Sequence, residues 1–284
     1  NDLYTPEIIV PVTMTVEQVD YFTELFSFEY PFDPEDHNRN DMANRTLTLI
    51  PDGSGSYYRA CNSTAAGFLV DPNGGTNIPL RDDDYRQIDL GGEHIDFYGT
   101  SYETLYIGSN GYITFLSGDT HYLEGLEDHF DLPRISALFD DLDPSAGGAV
   151  SWKQLEDAIV VTFENVPERG LSNANSFQIE MFHNGTIRIT WLGISAGDGL
   201  IGLSKGGGLP LYYLESNLSE YRLSDDLDHD CDTDFADYSI FASYWQAKDC
   251  APGNDWCNGI DANKDGKIDF YDLAEFFLHW QPCD

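Results

Sequence analysis

Positive charge is what this sequence has least of. Fourteen Lys and Arg stand against 50 Asp and Glu in 284 residues, a formal net charge of −36. Nucleic acid and anionic membrane surfaces are bound through Lys and Arg that displace counterions. Both are therefore excluded as partners, and cations are expected in their place. No run of 18 apolar residues occurs, which excludes a membrane-spanning helix. No CxxC pair occurs either, although Cys231, Cys250, Cys257 and Cys283, four of the five cysteines, crowd into the last fifth of the chain. Clustered cysteines in a small acidic segment predict disulfides and an oxidising compartment. No secretory leader is visible, so the expectation is a mature secreted form whose leader has been removed.

What is present leans toward β structure. The sequence has 26 Gly and 13 Pro over a background 14% aromatic, a composition of short strands and many turns. Leu105-Tyr106-Ile107, the turn Ser109-Asn110-Gly111 and Tyr112-Ile113-Thr114-Phe115 read as a hairpin, because Asn-Gly between alternating runs is a strong hairpin signal. The same pattern recurs in Ala158–Phe163, in Phe177–Phe182 and, after His183-Asn184-Gly185, in Thr186–Trp191. Strands at this density, from about Arg45 to Tyr213, predict a two-sheet sandwich. Ahead of it, Pro6–Val16 reads as one extended edge strand, while Gln18, Val19, Phe22 and Phe26 also fit a capped helix starting at Thr15. Both readings stay open.

The run Tyr106–Phe115, the run Pro133–Pro144 and Gly199–Ser204 resemble the nidogen-like β-sandwich modules of bacterial extracellular proteins, over roughly Gln87 to Gly208. That resemblance implies an adhesion or matrix module with no transferable catalytic residues.

The C-terminal sequence carries the sharpest chemistry. An EF-hand loop converges oxygen ligands from positions 1, 3, 5, 7 (by its backbone carbonyl), 9 and 12, because calcium takes six to eight oxygens. Asp261, Asn263, Asp265, Lys267, Asp269 and Asp272 fit every position, with Gly266 at the sharp turn. Asp226, Asp228, Asp230, Asp232, Asp234 and Asp237 have the same spacing, but Cys231 stands where glycine is usual, a departure expected to bend or weaken that site. Two calcium ions are expected. Asp237–Gln246 and Asp272–Gln281 then repeat as short aromatic helices. This duplicated loop-plus-helix unit, Asp225 to Asp284, resembles a type I dockerin of the cysteine-containing planctomycete kind. The resemblance implies antiparallel helices, hence bridges Cys231–Cys283 and Cys250–Cys257 with Cys61 free. It also implies a cohesin-type scaffold as partner, through loop positions 10 and 11. Those positions hold Phe235-Ala236 and Phe270-Tyr271, aromatics that favour packing on the body or self-assembly over cohesin docking.

Other candidates are weaker. Gly193-Ile194-Ser195-Ala196-Gly197 matches GxSxG, but a second turn and strand follow it where a nucleophile elbow requires a helix. His121 and His129 flank Glu124, Glu127 and Asp128 without zinc-site spacing. Asp140-Asp141-Leu142-Asp143 and Asp82-Asp83-Asp84 read as solvated acidic turns rather than metal ligands. Asn44, Asn62, Asn184 and Asn217 are sequons and candidate glycan sites.

Together these features predict a mainly β protein in three parts. Residues 1–44 form an extended edge or donor segment, 45–220 a β-sandwich, and 225–284 a dockerin-like, EF-hand-like helical domain binding calcium. The expected function is that of a secreted or cell-surface bacterial structural and adhesion protein, not an enzyme. It would assemble with copies of itself into a filament or surface layer through its N-terminal strand. The alternatives are a binding module docked to a cohesin scaffold and an extracellular hydrolase.

Overall fold

A computed structural model describes residues 19–26, 40–223, 225–277 and 280. The predicted strand Pro6–Val16, and with it the donor-strand reading, lies outside the described residues. In chain order the strands are β1 (Thr23–Phe26), β2 (Arg45–Pro51), β3 (Tyr58–Thr64), β4 (Thr76–Asn77), β5 (Tyr85–Asp89), β6 (Ile95–Phe97), β7 (Thr100–Tyr102) and β8 (Thr104–Gly108). There follow β9 (Tyr112–Thr114), β10 (Pro133–Phe139), β11 (Ala149–Gln154), β12 (Ala158–Val166), β13 (Asn175–Phe182), β14 (Ile187–Trp191) and β15 (Gly199–Lys205). The protein is mainly β, with a few short helices near the C-terminus.

One sheet runs β1-β15-β10-β9-β8-β5, a second β3-β2-β14-β13-β12-β11-β4, and β6 pairs with β7. The pairing is antiparallel throughout the named strands. Alternation drives this arrangement, since each strand turns one row of apolar side chains to a common interior. Ile107, Ile113 and Ile135 from the first sheet and Val161, Ile179 and Ile189 from the second share one buried core. Burying one such side chain contributes roughly 1.5–3 kcal/mol.

Both hairpin turns read from the sequence are in place. Ile107 faces Ile113 across Ser109-Asn110-Gly111, and Met181 faces Ile187 across the turn at Asn184-Gly185. Gly111, at φ +75°, is irreplaceable there, because a Cβ would lie 1.9 Å from the Leu138 carbonyl oxygen. That carbonyl sits at a β-bulge. The amides of Ala137 and Leu138 both donate to the Gly111 carbonyl, at 3.0 and 3.2 Å, so two residues of β10 oppose one. Trp191, fully buried, crosses from the second sheet to donate its indole N–H to Ala137 O at 2.7 Å. Beyond the bulge Phe139 packs with Tyr112 and Leu200, away from the main core. The chain leaving β10 is thus re-aimed.

Thr23–Phe26 is a strand, not a helix: β1 pairs with β15, Thr23 opposite Gly202. A Cβ at Gly202 would come within 2.4 Å of Phe22 O, so the glycine allows the two backbones to close. Phe22 and Phe26 drop into the core, which accounts for the apolar spacing that also suited a helix.

The C-terminal unit has its own apolar cluster of Phe241, Cys250, Cys257, Ile260, Ile268 and Phe276. The helices Phe235–Ser243 and Phe270–Phe276 each begin with an Asp N-cap, Asp234 or Asp269. In each, the carboxylate three residues on completes a capping box. Among the described residues no helix is long and apolar enough to cross a membrane.

Candidate metal centre

The two acidic loops have the same internal bonding, shifted by 35 positions (226 to 261, 237 to 272). Asp226 accepts from the amides of Asp230 and Cys231, each at 3.0 Å. Asp261 accepts from those of Asp265 at 3.1 Å and Gly266 at 2.8 Å. Asp237 takes the amides of Asp228 at 3.1 Å and Asp234 at 2.8 Å. Asp272 takes those of Asn263 at 3.5 Å and Asp269 at 2.8 Å. Amides converging on the first and twelfth carboxylates fold each loop into a tight turn.

The backbone repeats as well. Positions 4 and 6 are left-handed in both loops: His229 at φ 67° and Cys231 at 73°, Lys264 at 56° and Gly266 at 94°. Cys231 therefore lies in the same left-handed region of the backbone as Gly266. A non-glycine residue in that region costs roughly 1–2 kcal/mol, and something must hold it. Cys231 is tied to Cys61 of β3, with a Cα–Cα distance of 5.6 Å. This corrects two expectations: Cys61 is not free, and Cys231 does not pair with Cys283, which lies outside the described residues. The dockerin-like pairing joins only cysteines of the C-terminal unit, whereas the loop is fastened to the β body. The Cys250–Cys257 bridge is present.

Exposure also follows the repeat. Asp226, Asp237, Asp261 and Asp272 are all buried, whereas Asp228, Asp230, Asp232, Asn263, Asp265 and Lys267 are exposed and Asp234 and Asp269 half-buried. Carboxylate oxygens of Asp226, Asp228 and Asp237 lie within 4.8 Å of one another, as do those of Asp232, Asp234 and Asp237. Burial and crowding raise the carboxyls of Asp226 and Asp228, and burial pushes Asp232 up to about 6, with Asp230 and Asp234 the strongest repelling charges. In the second loop the Lys267 ammonium pairs with Asp269, and with Asp265 at 3.4 Å. The Asp269 carboxyl is accordingly lowered, first by Lys267 and then by the Tyr271 amide.

The units interlock. Phe235 packs edge-on against Trp280 at 5.1 Å, and Phe270 against Trp245 at 5.1 Å, each loop's aromatic on the other repeat's tryptophan. Phe235, Phe270 and Tyr271 nonetheless remain largely exposed, at 74%, 75% and 71%. They are not core residues covered by the body, as packing alone would have made them.

The remaining candidates resolve individually. Ser195 lies in the connection between β14 and β15, where its amide and that of Ala196 donate to Asn175 Oδ1, and no helix follows. His129 is fully buried, its two ring nitrogens taken by Thr23 Oγ1 and Ser136 Oγ, so it offers no metal a lone pair from an exposed face. His121 pairs with Asp119 and Asp128. Asp82 and Asp141 have a counter-ion in Arg169, at 2.9 and 3.9 Å. Asn62 is corrected as a glycan site: it is 1% exposed, its amide accepting from Arg45 and donating to Leu218 O. Asn44, Asn184 and Asn217 are exposed.

A family model described as NIDO related matches residues 58–223, more than half of the chain. The chain belongs to the NIDO-related family. The match contains the region read as nidogen-like and extends it to β3 and to the segment entering the first acidic loop. No curated protein and no solved structure matches the chain. The two loops lie beyond the NIDO-related span, so their chemistry rests on their own geometry. The two disulfides fit an extracellular setting.

Proposed function

We propose that this NIDO-related protein is a non-enzymatic extracellular structural or adhesion protein whose C-terminal unit is a duplicated EF-hand-like module folded by two calcium ions. The observation that carries the reading is the shared bonding of loops 226–237 and 261–272 around four buried carboxylates. Ionised carboxylates are rarely buried without a cation, because desolvation costs several kcal/mol per charge. Six aspartates and no Lys or Arg in the first loop, four aspartates and two lysines in the second, make oxygen-rich sites suited to a hard cation rather than to zinc or copper. Asp226, Asp228, Asp230, Asp234 and Asp237 would hold one ion with the Asp232 carbonyl. Asp261, Asn263, Asp265, Asp269 and Asp272 would hold the other with the Lys267 carbonyl. The ion would supply charge neutralisation and fix the loops; no reaction is routed through it.

The module acts as a folding device rather than a switch, since the Cys61–Cys231 and Cys250–Cys257 bridges restrain what a sensor would have to move. An ion bound only by the folded form stabilises it by mass action, about 2.7 kcal/mol at a hundred times Kd. Thermal unfolding of the full chain in millimolar calcium and in excess chelator tests this. The expectation is a melting transition lowered by chelator and restored by calcium, and an unchanged transition would refute it. The exposed Phe235, Phe270 and Tyr271 supply an apolar surface for a partner, and a second copy and a cohesin-type scaffold remain the two candidates.

A further inference from the structure

At one end of the sandwich three carboxylates converge from both sheets. Asp140 follows the bulged end of β10, Glu168 follows β12, and Asp198 precedes β15. The chain at 141–143 runs antiparallel to 167–169: Arg169 N donates to Asp141 O at 2.7 Å and Asp143 N to Pro167 O at 2.9 Å. This short ladder brings Glu168 beside Asp140. One carboxylate oxygen of each of Asp140, Glu168 and Asp198 lies within 4.8 Å of the others. Asp140 is not the solvated turn residue its sequence suggested, being only 6% exposed. Its Oδ1 accepts from the Asp141 amide at 2.6 Å, while its Oδ2 is buried with no hydrogen-bond partner.

Among the described residues none of the three makes an ion pair with Lys, Arg or His, for the nearby Arg169 is directed at Asp82 and Asp141. Glu168 is steadied by Asn173, whose amide donates to its carboxylate and accepts from its backbone N–H. Glu124 adds a fourth negative charge in electrostatic reach of Glu168 and Asp198. Oxygens on opposite sides of a calcium ion, each 2.3–2.6 Å from it, stand about 5 Å apart, so the separations suit one shared ion.

We propose that Asp140, Glu168 and Asp198 bind a calcium ion that ties the two sheets together at this end of the sandwich. Asp140 is the anchoring ligand, and the half-buried Glu168 and Asp198 leave room for water to complete the coordination. The site is independent of the two C-terminal loops.

The test counts ions on the full chain, dialysed against micromolar calcium after chelator treatment and analysed by elemental mass spectrometry. Wild type is expected to carry three calcium ions per chain, and Asp140→Asn one fewer. Glu168→Gln, at a half-buried side chain, gives the same reading should Asp140→Asn fail to fold. A variant count equal to that of wild type would overturn the proposal. Two ions in wild type and two in the variants would do so while leaving the loops intact. One ion in wild type and none in the variants would instead uphold this site and reject the loops.

Discussion

Removing the Cys61–Cys231 bridge separates two effects that the structure places on one residue. The bridge spans 170 positions, against seven for Cys250–Cys257. In the chain-entropy description, closing loops of those lengths is worth about 5 and about 2.5 kcal/mol respectively. The double variant C61A/C231A should therefore lose more stability than C250A/C257A, with a further contribution of at most ~1 kcal/mol from the space left at fully buried Cys61. Cys231 also holds φ at 73°, the conformation that Gly266 adopts in the second loop. C61A/C231G should consequently recover about 1 kcal/mol relative to C61A/C231A, because glycine enters that region without steric cost. Urea unfolding of the full chain in calcium, followed by circular dichroism and tryptophan fluorescence, measures both differences. Equal stability of the alanine and glycine variants would refute the argument about Cys231. A loss in C61A/C231A no larger than in C250A/C257A would refute the argument from loop length.

Glu24, buried on β1 with its carboxylate accepting from Leu218 N at 2.7 Å, is pushed up from 4.5 to about 7 by burial, partly offset by that bond. Its contribution is full below pH 4.5 and lost as pH rises through 7, a decline of about 3 kcal/mol that Glu24→Gln should remove; an undiminished slope in urea midpoints would contradict this. His129 has the opposite sign, lowered from 6.5 to about 3 by burial and then by Arg134, so stability present above pH 6.5 should fall toward pH 3. His129→Gln should flatten that acid limb, and an unaltered acid midpoint would exclude His129 as its source. Lys267→Ala, which removes an ammonium 3.4 Å from Asp265, should tighten calcium at the second loop a few-fold at low salt and less at high salt. Weaker binding in a calcium titration would count against ligation by Asp265.

The hairpins at Asn110-Gly111 and Asn184-Gly185 were legible because their turn chemistry and alternation are local. So was the correspondence of the acidic loops, since the spacing of their carboxylates is written along the chain. The partner of Cys231 was not, because nothing near Cys61 in sequence marks its proximity to a loop 170 positions away. The burial of Asp140 is hidden from the sequence for a related reason. An Asp-Asp-Leu-Asp run looks solvated, and its burial depends on a bulge between Ser136 and Phe139 and on Glu168 arriving from the other sheet. Phe22 and Phe26 left strand and helix equally open until β15 supplied a partner.

The pairing of β1 with β15 also sets an order of events. Thr23 cannot meet Gly202, nor its carbonyl accept from Ser216 N and the Tyr213 hydroxyl, until almost the whole β body has left the ribosome or the translocation channel. The first described strand waits for the last strand of the sandwich, and the closure is non-local, the kind that makes β proteins slow to fold. During that interval β1 itself is an unpartnered strand, open to pairing with another chain. A chain crossing a membrane unfolded would meet this hazard on the far side, where the Cys61–Cys231 bond can form only after the same delay.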